Sequence, residues 1–204
     1  MEIMINEIDY NKITIAIYTR GGLFDDKFNI NNPNDVTVKY DELVALRKLA
    51  LKGYNILLID DVFFPVCDNI KQSIYLWNGV LKGLENKIKF YRIKDELQLY
   101  VKLEELNSNG NYCLYVGGRV DDYYPLTEKC LIGFIKEDLH TFLMREFNNV
   151  DIIKDLFMNG LTLNPFPIES LNQVSPIVSL KSWLDKNIEN YISINTKNSD
   201  IQNE

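Results

Sequence analysis

Apolar and polar positions along the chain fall into blocks that alternate between strand and helix periodicity. Residues 13–18, "ITIAIY", form a β-branched apolar run stopped by Gly21 and Gly22, the pattern of a parallel strand buried on both faces. The polar stretch "DDKFNINNPNDVTVKY" is too rich in Asn and Asp for a regular element. Behind Asp41, a candidate N-cap, Leu43, Val44, Leu46, Leu49 and Ala50 recur at helical spacing, and Gly53 supplies the stop. "NILLID" then reads as a second buried strand, closing on Asp60 and Asp61. In "DNIKQSIYLWNGVLKGLENK" the spacing places Ile70, Ile74, Trp77, Leu81 and Leu84 on one helical face. "IKFYRI" follows as a third strand, "DELQLYVKLEEL" as a helix, "YCLYVGG" as a fourth strand and "LIGFI" as a fifth. This alternation predicts an α/β fold, a Rossmann-like, mostly parallel sheet with helices on both faces.

After residue 138 the pattern turns helical and breaks at Pro165, Pro167 and Pro176. A last helix around "SLKSWLDKNIENYI" is expected to pack back through Leu180, Trp183, Leu184 and Ile188. The expected organisation is an α/β core over 1–138, a helical C-terminal extension over 139–192 and a disordered polar tail over 193–204.

The 204 residues, 46% hydrophobic and 25% charged, suit one main core in a soluble chain. The formal charge of −7, with Lys and Arg scattered, argues against a nucleic-acid footprint and against docking on an anionic membrane. The three cysteines, Cys67, Cys113 and Cys130, show no CxxC spacing, which argues against a disulfide framework or zinc site. The opening "MEIMINEIDY" lacks a signal-peptide pattern, so a cytoplasmic protein is expected.

In open α/β sheets ligands bind beyond the carboxyl ends of the strands. Three loops there carry conspicuous polar groups: "TRGGLFDD", "DDVFFP" and "GGRVDD". Strand ends also collect Gly and Asp for turn geometry and capping alone, which is the simpler account of Asp25 and Asp26. His140 is the one histidine, so a His-rich metal site is excluded, and it falls in the helical pattern "EDLHTFLMREF". Cys113 lies inside a strand pattern, where burial makes a thiol inert. Cys67 is the more reachable thiol, without a nameable partner. The aromatics Tyr75, Trp77, Tyr123 and Tyr124 read as core or surface filler.

Over residues 12–136 the segments "YTRGGLFDD", "KGYNILLIDD", "YRIKDELQL" and "LYVGGRVDDYYPLTEKCLIGFI" resemble, in order and spacing, the haloacid-dehalogenase-like superfamily of phosphoryl-transfer hydrolases with little or no cap. In that family the first strand ends in D-x-D-G-T-L, the second in Thr or Ser, a Lys follows, and a late strand ends in an acidic motif. The resemblance implies an aspartyl nucleophile and an acid/base Asp where this chain has Tyr18 and Arg20. It likewise sets Asp60 in the place of the phosphate-holding Thr or Ser, and Gly118 in that of the first late acid. Lys94 and Asp122, with Asp121 beside it, match the family pattern. The family's Mg²⁺ needs several oxygens, usually including carboxylates, so these changes imply a weak magnesium site at Asp121 and Asp122. Arg20 could instead stand where the metal was and pair with Asp60 or Asp122.

"TRGGL" and "ILLIDDVF" also resemble the pyrophosphate loop and two-acid motif of type I phosphoribosyltransferases. The following "FFPVCD" lacks the Gly and Thr of their phosphate cradle. The haloacid-dehalogenase-like resemblance, with these departures, implies a phosphatase-like pseudoenzyme with a binding, regulatory or assembly role. Its partner would be a protein or a phosphate-bearing small molecule, and its ligand-binding candidates are Arg20, Gly21, Gly22, Asp60, Asp61, Gly117 and Gly118. The competing expectation is an active phosphoryl- or phosphoribosyl-handling enzyme in which Asp60, Asp61, Asp121 and Asp122 assemble an altered Mg²⁺ site; the catalytic candidates are Asp60 and Lys94.

Overall fold

The run Ile13–Tyr18 forms β1, and its β-branched residues are explained by its place: Ile13, Ile15, Ala16 and Ile17 are fully buried between two neighbouring strands and two helical layers. The computed structural model describes residues 8–23, 39–61, 80–117, 132–135, 168–170 and 175–201. Its strands are β1, β2 (Asn55–Asp61), β3 (Ile88–Ile93), β4 (Tyr112–Gly117), β5 (Ile132–Ile135) and β6 (Ile168–Ser170). They form one six-stranded sheet in the order β3-β2-β1-β4-β5-β6, with every neighbouring pair parallel. The chain builds outward from β1 to β3, then returns to place β4 on β1's other side. That reversal is the topological switch point of an open α/β sheet.

Because strand side chains alternate, β1, β2, β3 and β4 each feed two cores. Ile13, Ile15 and Ile17 point with Ile56, Leu58, Leu114 and Val116 toward helices α1 (Tyr40–Lys52) and α3 (Pro176–Ile201). Ala16, Leu57, Ile59, Cys113 and Tyr115 point the other way, toward Leu99 and Leu103 of α2 (Glu96–Leu106). Helices therefore cover both faces, as the strand–helix alternation predicts. Ile177, Leu180, Leu184, Ile188 and Ile192 attach α3 to the first core, each fully buried aliphatic side chain contributing about 1.5–3 kcal/mol.

Each helix end has a local cause. Gly53 closes α1 at φ 117°, donating to the carbonyls of Ala50 and Leu49, and a Cβ there would come within 3.0 Å of Tyr10 Cβ. Asp95 caps α2 by accepting from the Gln98 N–H, while the Gln98 side chain accepts from the Lys94 N–H.

Four details differ from the sequence expectations. The N-cap of α1 is Lys39, without a side-chain bond, and Asp41 sits inside the first turn, where its charge faces the positive helix end. Residues 80–87 form turns rather than the end of a helix: Gly83 takes φ 83°, and Leu81 and Leu84 are buried from those turns. Arg47 fastens this stretch to α1 by donating to the carbonyls of Val80 (2.5 Å) and Lys82 (3.1 Å). Ile70, Ile74 and Trp77 lie outside the described residues. The short β6 falls within the stretch expected to be helical, beyond the breaks in that pattern at Pro165 and Pro167. Finally, α3 runs to Ile201, through residues 193–201 that were expected as tail. No Gly or Pro interrupts the chain beyond Pro176, so a helix anchored as far as Ile192 has no breaker to stop it.

Candidate functional site at the carboxyl edge

The strands that lead into the three polar loops, β2, β1 and β4, are neighbours at the centre of the sheet. Their carboxyl ends therefore meet at the switch point, the place where ligands sit in this architecture. The described part of that edge is a π-helical turn over Thr19–Leu23, the last residues of β2 and the end of β4.

The π-turn is folded down onto the sheet. Gly22 is pressed against β4 so closely that a Cβ would lie 3.1 Å from the Val116 carbonyl oxygen and 3.3 Å from Ile17 Cγ2. Leu23 then enters the core shared with α1 and α3. Thr19 is fully buried, and its Oγ1 donates to the Ile59 carbonyl at 2.9 Å with Asp60 Oδ1 3.4 Å away. Asp60, only 2% exposed, is thus held at the end of β2 beside the start of the π-turn.

Tyr18 is half-buried and packs with the α2-side core. Arg20 and Gly21 are in the π-turn next to Asp60's strand end. Asp61 ends β2 opposite Ile93 of β3. Gly117 ends β4, and a Cβ on it would lie 3.1 Å from the Tyr115 ring, so the glycine makes room for that ring. Lys94 is exposed one residue past β3, with the whole of β2 between it and β1. Gly118, Asp121 and Asp122 fall outside the described residues, as do Asp25, Asp26, Cys67, Cys130 and His140. Cys113 is fully buried in β4. Among the described residues no three His, Cys, Asp or Glu side chains converge. Those residues alone do not make the oxygen-rich site that Mg²⁺ needs.

Two residues of this region carry no sequence signal. Thr19 is one, since its role depends on the register that sets it beside Asp60. Glu42 is the other: it lies in the first turn of α1, is 2% exposed, and its Oε2 accepts from the Ile177 N–H at 2.6 Å. Burial pushes the Glu42 carboxyl above its ordinary value, against the opposing effects of the α3 N–H groups and Lys39. Its Oε1 is buried without a hydrogen-bond partner among the described residues.

No helix among the described residues is long and apolar enough to cross a membrane. Comparison with known proteins finds no matching family model, no matching curated protein and no matching solved structure.

Proposed function

We propose that the chain is a haloacid-dehalogenase-like domain that binds a phosphate-bearing small molecule at the carboxyl edge of its sheet without hydrolysing it, and acts through that binding. The observation that carries this reading is the adjacency of β2, β1 and β4, which gathers the three loops of the family-like pattern at one switch point. Tyr18 and Arg20 stand where the family keeps its nucleophile and acid/base, so an aspartyl-phosphate has no residue to form on at those positions. Asp60 is buried against Thr19, which suits a carboxylate that shapes the site better than one that attacks or exchanges protons with solvent. The Gly-containing π-turn and the ends of β2 and β4 would form the floor of the binding site.

Turnover of a panel of phosphate monoesters with Mg²⁺ present tests the reading. The expected result is no rate above buffer. Turnover that disappears in Asp122→Asn would replace this reading with that of an active phosphoryl-handling enzyme using the acidic loop.

A further inference from the structure

We propose that Glu42 is a fastener through which the C-terminal helix holds the π-turn of the candidate site in shape, so that releasing the first turn of α3 opens the turn after β1. Three observations converge on this device. First, α1 leads back from the carboxyl edge to the start of β2, so Glu42 in its first turn lies at the candidate site's end of the sheet. The first turn of α3 lies there too, because its Ile177 N–H is bonded to Glu42 across 135 positions of sequence. Second, α3 packs against the π-turn itself, and Leu23 of that turn shares one core with Ile177 and Leu180. Third, the polar part of the fastening is buried. The Glu42 carboxyl satisfies a helix-end donor that has no intrahelical partner, and water cannot replace it at 2% exposure.

The opposite end of α1 is held to α3 differently, by Lys52 to Asp185 at 3.2 Å, beside the bond that Tyr10, ahead of β1, donates to Glu189 at 3.0 Å. The first turn of α3 can therefore detach while its middle stays docked through Leu184 and Ile188. A ligand or partner that drew the first turn of α3 away would reshape the Thr19–Leu23 floor without touching it.

Amide hydrogen exchange on the full chain tests the coupling. Glu42→Ala is expected to accelerate exchange about tenfold both at 177–181 and at 20–23, with α2 on the other face unchanged. Glu42→Gln, which keeps an acceptor oxygen, is expected to exchange like the unmodified protein in both segments. Acceleration confined to 177–181, no acceleration at all, or uniform acceleration that includes α2 would each overturn the proposal. If Glu42→Ala does not fold, the unmodified protein in low denaturant decides. Joint opening of 20–23 and 177–181 ahead of α2 supports the coupling, and separate opening contradicts it. None of these readouts depends on phosphate binding, so the device and the proposed function can fail independently.

Discussion

The two edges of the sheet are held by opposite means. At the amino edge the fastening is polar, redundant and open to water. Lys87 donates to Asn11 Oδ1 at 2.7 Å, to the Gly53 carbonyl at 2.9 Å and to Asn55 Oδ1 at 3.4 Å, while Asn55 donates to the Asn11 carbonyl at 2.6 Å. Asp185 bridges Lys52 and Lys181, and the Lys52 ammonium sits 4.8 Å above the Tyr10 ring. At the carboxyl edge, around the π-turn, three described contacts are buried: Thr19 with Asp60, Gly22 against Val116, and Glu42 with Ile177. Where several exposed bonds share a task, losing one costs little, because water and the remaining partners compensate. Where one buried group does it, loss leaves an unsatisfied neighbour. The sheet is thus robust where it only has to hold together, and dependent on single residues around the π-turn, where the proposed ligand would bind.

Substitutions should rank accordingly. The largest effect is expected from Gly22→Val, which drives side-chain atoms into the Val116 carbonyl and Ile17; about 1–3 kcal/mol should be lost in denaturant unfolding. Thr19→Val keeps the shape but removes the hydroxyl that bonds Ile59 and neighbours Asp60, and should cost about 1–2 kcal/mol. An effect below that of any amino-edge substitution would break the contrast. Lys87→Met, at the amino edge, should cost about 1 kcal/mol despite removing three bonds, since most of their partners can turn to water. Asp185→Asn should cost well under about 1 kcal/mol, reduced further by salt, because both lysines and the carboxylate are partly exposed.

The two edges should also respond to pH with opposite sign. Glu42 is pushed above its ordinary 4.5 by burial, so the folded state holds its proton longer than the unfolded chain does. Its contribution is most favourable below pH 4.5 and declines as pH rises through the raised folded value. Asp185 is held below its ordinary 3.8, chiefly by its bond from Lys181, so its contribution is present above 3.8 and fades as pH falls through the lowered value. Unfolding free energies measured across pH should lose the first slope in Glu42→Gln and the second in Asp185→Asn. Unchanged profiles in both variants would contradict the assignment.

Much of the architecture is legible in the sequence because burial on both faces leaves a strong mark. "ITIAIY", "IKFYRI" and the start of "YCLYVGG" match β1, β3 and β4 at their first residues, and Gly53 marks the end of α1 by the conformation only glycine takes easily. The β6 strand is too short to show a period, and Leu81 and Leu84 keep helical spacing while being buried from turns. The fastenings at the site are hidden for another reason. Thr19 and Asp60 are 41 positions apart and Glu42 and Ile177 are 135 apart, so only the register of β1 on β2 and the docking of α3 bring them together. The identity of Tyr18 and Arg20 is plain in the sequence, whereas the tight seat of the turn that follows them on β4 is not.

The proposed function puts a phosphate-bearing ligand at the carboxyl edge and not at the stitched amino edge. Titrating inorganic phosphate into the isotope-labelled protein while following its backbone amide resonances tests it most directly. Saturable shifts are expected at 19–23, Asp61 and Gly117, with Asn11, Gly53, Asn55 and Lys87 unmoved. Shifts confined to the amino edge, or none at either edge, would contradict it.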